Sequence, residues 1–185
     1  MKSKHLNEKV IVDKALEIIE RTEELGMFNM RKLARELGCA HTNIYNYFDS
    51  FDQLLWTVAA NAMKIMSDRI FVDETLKGFM KRYLDFAFEH SGLYRLIWFY
   101  KIESHMPDQL KAAFLYPSMK SVEIYKKEMG LSTGEDFEAI QVALAYAHGE
   151  IAMALNKRMA ISDLETWKKR VLQNALTILR RIEDL

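Results

Sequence analysis

Helix breakers are scarce in this chain. Two prolines and seven glycines among 185 residues leave long stretches in which nothing interrupts a helix, since proline removes a backbone donor and glycine costs about 1 kcal/mol in a helix interior. Cysteine is scarcer still. A lone Cys39 excludes an intramolecular disulfide and cannot by itself supply a cysteine-based zinc site; its place in an apolar turn reads as a small buried hydrophobe. Net charge is missing too, with Lys plus Arg and Asp plus Glu at 26 each. Nonspecific attraction to a polyanion, which scales with the phosphates neutralised, is expected to be modest. No apolar run reaches the ~18 residues of a membrane span. The N-terminal MKSKHLNEKVIVDKALEIIERTEE is too charged for a signal peptide, so the chain reads as cytoplasmic, without membrane contact.

What is present suffices for a core: 50% of residues are hydrophobic and 28% are charged. No segment alternates apolar and polar residues in the strand manner, so the expected fold class is all-α. Apolar periodicity predicts about nine helices, at roughly 6–25, 30–37, 42–48, 52–70, 74–90, 92–104, 107–129, 135–157 and 163–184. Glycines fall where the periodicity breaks, with Gly26 and Gly38 ending the first two helices, Gly92 separating two later ones and Gly130 and Gly134 bracketing another break. Asn29 is a plausible N-cap, and Asp73 another. Ser50-Phe51-Asp52-Gln53, Ser132-Thr133-Gly134-Glu135 and Ser162-Asp163-Leu164-Glu165 each match a capping box. These elements group into a three-helix bundle over 1–52 and a larger helical part over 53–185, with the fourth helix running from one into the other.

The stretch MRKLARELGCAHTNIYNYFDSFDQLL, Met30 to Leu55, carries the chemistry. Two short helices meet at a Gly-containing turn, and a third begins at once. In the second of them Ile44 and Phe48 share one edge and plug the bundle, while the other side chains have nothing to bury against. A helix held by a narrow edge and presenting its remaining surface suits a DNA groove. At about 100° per residue, His41, Thr42 and Tyr45 are placed to meet base edges. Asn43, Asn46 and Tyr47, with Arg31 or Lys32, are placed to meet phosphates. His, Thr and Asn offer donors and acceptors, and Tyr offers a ring for a thymine methyl and a hydroxyl for phosphate.

Residues 10–55 resemble the DNA-binding domain of the TetR/AcrR family of bacterial transcription regulators. The residues that carry the likeness are Leu33-Ala34, Gly38-Cys39, Ile44-Tyr45-Asn46-Tyr47-Phe48 and Leu54-Leu55. The resemblance implies an N-terminal helix–turn–helix bundle followed by a helical ligand-binding and dimerisation domain. It also implies that His41, Thr42 and Tyr45 face bases and that Asn29, Asn43, Asn46 and Tyr47 face phosphate. The chain departs from the family pattern at Ala40 (usually Ser), Thr42 (usually Gly or Pro) and Phe51. At Phe51 the family usually carries a Lys that meets a phosphate.

Beyond Leu55, Leu96-Ile97-Trp98-Phe99-Tyr100 is apolar all round, which predicts a buried sixth helix. Large aromatics and methionines, among them Met63, Phe86, Trp98, Phe114 and Met119, are frequent in this region. Such stripes serve as core or as the walls of an apolar pocket. Inward polar groups for a small-molecule effector would be Tyr83, Tyr100, Glu103, Tyr116 and His148, and Pro117 should kink the seventh helix. The eighth helix is small-sided, with Ala143, Ala147, Gly149 and Ala154, and the ninth carries one stripe through Val171 and Ile178 and another through Ala175 and Ile182. One stripe can face the chain's own core and the other a partner; in the resembled family these two helices pair with their copies in a four-helix dimer interface.

Catalytic and metal-binding patterns find no support. There is no Gly-rich phosphate loop and no His-Glu-x-x-His, the five histidines are scattered, and no cofactor is implied. The expected protein is a non-enzymatic homodimeric regulator that binds a double-stranded operator, most simply a repressor released by a small apolar or aromatic ligand. The alternatives are a regulator without a ligand, or a helical small-molecule-binding protein or enzyme whose N-terminal bundle is structural.

Overall fold

The computed structural model of the chain describes residues 6–22, 25–131 and 138–181. Among them are nine α-helices and no strand: α1 (Glu8–Glu20), α2 (Met30–Leu37), α3 (His41–Ile44), α4 (Phe51–Ile70), α5 (Leu76–Glu89), α6 (Ser91–Trp98), α7 (Lys111–Met129), α8 (Glu138–Leu155) and α9 (Leu164–Arg181). Short 3-10 turns occupy Leu25–Met27 and Asp108–Leu110. The all-α expectation holds, and the differences lie at the ends of helices.

Local hydrogen bonds explain where the helices start. Asn7 caps α1 by accepting from the Val10 amide at 2.9 Å, and Asn29 caps α2 by accepting from the Lys32 amide at 3.0 Å. Ser50 caps α4 by accepting from the Gln53 amide at 3.0 Å, and the Gln53 side chain reaches back to the Asp49 amide. Asp73, expected as a cap, instead grips Arg82 through two bonds of 2.9 and 3.1 Å, and Thr75 caps α5 by accepting from the Gly78 amide. At α9 the cap is Asp163, one residue past the expected Ser162; its carboxylate accepts from the amides of Glu165 and Thr166. The capping box at 132–135 lies outside the described residues.

By contacts the chain forms two compact units. The first comprises residues 1–65 and 90–114. Its core takes Ile11, Ala15, Ile18 and Ile19 from α1, Leu33 and Ala34 from α2, Ile44 and Phe48 at α3, Leu54, Leu55 and Val58 from α4, and Leu93, Tyr94 and Leu96 from α6, all buried. Arg21 reaches Glu36 at 2.8 Å and so ties the end of α1 to α2. α6 lies directly on α1. A Cβ on Gly92 would stand 2.1 Å from the Ile19 carbonyl oxygen, so this glycine sits inside α6 to permit close approach rather than to end a helix. His90, just before α6, contacts Glu20 at the end of α1 at 2.5 Å. The loop after α6 is pinned to α4, since the Trp56 indole donates to the Ser104 carbonyl (3.1 Å) and the Ser104 amide donates to Asp52 (2.8 Å).

The second unit comprises residues 66–89 and 115–185. Its core takes Leu76, Phe79, Met80, Tyr83, Leu84 and Phe86 from α5, Ile124 and Tyr125 from α7, Ile140, Ala143, Ala147 and Ile151 from α8, and Trp167, Val171, Ala175 and Leu179 from α9. Lys168 reaches Asp85 at 2.9 Å, Arg170 reaches Glu150 at 2.8 Å, and the Asn174 amide donates to the Tyr146 hydroxyl at 2.8 Å, which fixes α9 against α5 and α8. Burial alone would raise the Asp85 carboxyl, but hydrogen bonds from Lys81 and Lys168 bring it below the ordinary carboxylate range.

Candidate nucleic-acid interface

The sequence builds the helix–turn–helix from its corner outward. Gly38 ends α2 in the left-handed conformation (φ 68°), with amide bonds running back to Ala34 and Arg35; only a residue without Cβ adopts this cheaply. The chain then turns through Cys39, whose thiol burial pushes above its ordinary value, and enters α3. Regular helix lasts only from His41 to Ile44, shorter than the expected 42–48. A tighter turn then carries the chain to Phe48, whose amide donates to the Ile44 carbonyl at 3.2 Å. Ile44 is fully buried and Phe48 is 3% exposed. Between and around these anchors His41, Thr42, Asn43, Tyr45 and Asn46 are all exposed. The split between anchored edge and presented face is the one expected from the spacing.

Tyr47 differs. Its ring is half-buried and its hydroxyl donates to the Leu6 carbonyl at 2.7 Å. The expected phosphate-facing hydroxyl therefore has its proton committed within the fold, holding the segment that enters α1 against α3. Asn29 is also in use as the α2 cap, which leaves its amide NH2 as the outward group. Arg31 is exposed and Lys32 is half-buried.

An open cleft of about 470 Å³ lies on this face, lined by Asn29, Met30, Arg31, His41, Tyr45 and Phe51. The His41 and Tyr45 rings meet edge to face at 6.5 Å, and the Phe51 ring rests on Phe28 at 5.8 Å. Met30 was not among the expected site residues, and Phe51 was singled out only as the place where the resembled family carries a Lys; its position as the first residue of the helix that follows the groove-facing turn was the signal that it lies at the edge of this face.

The residues expected to line an effector pocket separate into several environments. In the first unit Met63 is packed in the core, Trp98 is 43% exposed, and Tyr100 and Phe114 are half-buried. Trp98 corrects the expectation of a wholly buried sixth helix: α6 ends there, with the amides of Phe99 and Tyr100 both donating to the Arg95 carbonyl, so the rest of the apolar run is loop. Glu103 lies in that loop, exposed and paired with Lys101 at 2.9 Å. In the second unit Tyr83 and Phe86 are core, whereas Tyr116 and Met119 are 51% and 70% exposed. His148 is half-buried on α8, and burial pushes its imidazole below the ordinary value. Pro117 stands within α7, which continues through it to Met129.

The expected interface residues also divide. Ala143, Ala147, Val171 and Ala175 are 0–1% exposed within the chain itself, so they belong to its own core. Ile178 and Ala154 are half-buried, Gly149 is exposed, and Ile182 lies outside the described residues. The outward stripe of α8 is instead Val142, Ala145, Gly149 and Met153, all exposed.

No family model and no curated protein matches this sequence. Solved structures do match its fold. A protein of unknown function from Rhodococcus sp. RHA1 superposes with a TM-score of 0.76 at 20% identity, covering 97% of this chain and 98% of that one. A tetR-family transcriptional regulator from Streptomyces coelicolor gives 0.70 at 15% identity, over 93% of this chain and 82% of that one. A TetR transcriptional regulator from Rhodococcus sp. RHA1 gives 0.60 at 20% identity, over 91% and 95%. The chain has the TetR-family fold. Within that TetR-family fold the helix–turn–helix described above is the N-terminal part, and among the described residues no helix is long and apolar enough to cross a membrane.

Proposed function

We propose that this protein is a sequence-specific transcriptional regulator that binds a pseudo-palindromic operator as a homodimer. The observation that carries the reading is the face made by His41, Thr42, Asn43, Tyr45 and Asn46, five exposed hydrogen-bonding side chains on a segment anchored by the buried Ile44 and Phe48 and by the Tyr47 hydroxyl. A bundle that used α3 for its own stability would turn more of it inward. Two such heads about one DNA turn apart, or somewhat more, would read two half-sites. His41, Thr42 and Tyr45 take the base edges, and Asn43, Asn46, the Asn29 amide and Arg31 take the backbone. The dimer forms through the outward stripe of α8, Val142, Ala145, Gly149 and Met153, together with the half-buried Leu172, Leu176 and Ile178 of α9. A gel shift on the DNA flanking the protein's own gene tests this, with a complex expected that unlabelled fragment displaces and unrelated DNA does not. No shift with any flanking fragment would favour a helical small-molecule-binding protein with a structural N-terminal bundle.

The same reading makes the protein a repressor released by a small apolar or aromatic ligand. The ligand works only if it binds the DNA-incompetent state more tightly. A second reading, a regulator without an effector, is favoured by the outward placement of Trp98, Tyr116 and Met119 and the close packing of Met63, Tyr83 and Phe86. A thermal-shift screen of apolar aromatic compounds separates the two. A compound that raises the midpoint and dissociates the DNA complex supports release by ligand.

A further inference from the structure

A surface helix ordinarily carries one apolar stripe, turned to the core. α7 carries two. Its Ser121, Ile124 and Tyr125 are buried in the second unit. At about 100° per residue, Leu115 and Met119 lie on the other side of the helix, and they are 57% and 70% exposed. Tyr116, between them, is 51% exposed. Its ring is braced edge to face at 6.1 Å by Phe71, which itself stacks on Phe79 at 5.2 Å. Val72, the chain neighbour of Phe71, is 62% exposed. The core has no use for this second stripe, which turns large apolar side chains to water on an aromatic anchor already held in place.

We propose that this outward face of α7 is a self-association surface, covered by the same face of a second copy of the chain. Charge and shape select the occupant. Lys120 reaches Glu74 at 3.1 Å and Glu123 at 3.0 Å, and Lys127 stands 4.0 Å from Glu74. These charges are balanced within the chain, so they neither draw an oppositely charged partner nor repel a copy. The whole chain is neutral as well, with 26 basic and 26 acidic side chains, and no long-range repulsion keeps copies apart. Leu115 and Met119 stand one turn apart on a helix face, and such a ridge is self-complementary when two copies meet across a two-fold axis. Size sets the strength. Four side chains expose a few hundred Å², on the scale of the largest patch of a typical monomer, about 300–600 Å². That is short of the roughly 800 Å² per partner of a stable interface, so the contact is weak and concentration-dependent. It lies on a different helix from the α8 stripe of the dimer, and it therefore pairs dimers rather than making them.

Sedimentation velocity of the full chain, from low micromolar to near-millimolar concentration, tests this. The species present at low concentration should double in mass as concentration rises. Met119→Glu and Leu115→Glu, each at an exposed position, should keep the thermal midpoint and weaken the doubling by about ten-fold or more, because each sets like charges against one another in the contact. Gly149→Glu, on α8, should start from a lighter species and still double. Absence of doubling in the wild-type chain overturns the inference, as does doubling that persists unchanged in both α7 variants. Neither result bears on the DNA-binding reading or on the α8 dimer, which the species at low concentration and its response to Gly149→Glu report separately. The wild-type concentration series does not depend on how well any variant folds.

Discussion

The Tyr47 hydroxyl has a single proton, and its 2.7 Å bond to the Leu6 carbonyl commits that proton to the fold. Tyr47→Phe should therefore lower the stability of the protein by about 1 kcal/mol, the net worth of one hydrogen bond, and change DNA affinity little; thermal melting beside a DNA titration checks both. Asn43 is the opposite case. It is exposed on the presented face, so Asn43→Ala should leave the thermal midpoint in place and weaken operator binding. Asn29 would be a poor probe, because its loss removes the α2 cap at a cost of about 0.5–2 kcal/mol. The sequence showed which residues of α3 face in and which face out, because helical spacing fixes direction. It did not show that Tyr47 was already engaged, since its partner lies 41 positions away and no local pattern announces it. The Phe51 cleft was half legible: the departure from Lys was visible, but the support from Phe28 was not.

Among the elements, α6 taught most. Its register against α1 depends on Gly92, where any Cβ meets the Ile19 carbonyl oxygen. That oxygen belongs to a helix backbone and cannot swing aside. Gly92→Ala should destabilise the protein by about 1–3 kcal/mol, in the range of overpacked cores, as measured by denaturant unfolding. In sequence this glycine resembled a helix terminator, because close approach and helix termination favour the same residue. At α9 the cap was legible as a motif but displaced by one residue, since Asp163 competes with Ser162 for the same amides. For α8 the small residues were visible, but which of them face α9 was decided by packing. Gly149 has nothing within 4 Å of where a Cβ would stand and lies on the outward stripe. Gly149→Glu should leave the isolated chain folded and shift the protein from dimer to monomer in sedimentation. An unchanged dimer would mean that the stripe of Val142, Ala145, Gly149 and Met153 is not the interface. The Asp85 carboxyl sits below its ordinary value while paired to Lys81 and Lys168. A carboxyl whose folded pKa is depressed adds stability above its unfolded value, and that stability fades as pH falls through the folded one. Asp85→Asn should accordingly narrow the difference in stability between neutral and strongly acidic pH.

For the whole molecule, the balance of 26 basic and 26 acidic side chains limits how much of its DNA affinity can come from counterion release. If Arg31 and Lys32 of each protomer neutralise phosphates, a dimer displaces few counterions. The slope of log affinity against log salt should then be about −4, well short of the −10 of a heavily charged repressor. The all-helical architecture was legible throughout, because scarce proline and glycine and unbroken periodicity leave few alternatives. An effector pocket was not, because methionine and aromatic stripes look alike whether they fill a core, as Met63 and Phe86 do, or stand outward, as Met119 does. The central claim, that the face of α3 reads DNA, is tested most directly by fluorescence anisotropy, at one fixed salt concentration, on an operator selected from random duplex DNA. The wild-type protein should bind that operator far more tightly than scrambled DNA, and Asn43→Ala should lose about ten-fold, in the range of one hydrogen bond to a charged phosphate, with its melting midpoint unchanged. Equal affinity for operator and scrambled DNA, or a loss in Asn43→Ala that follows its loss of stability, would contradict it.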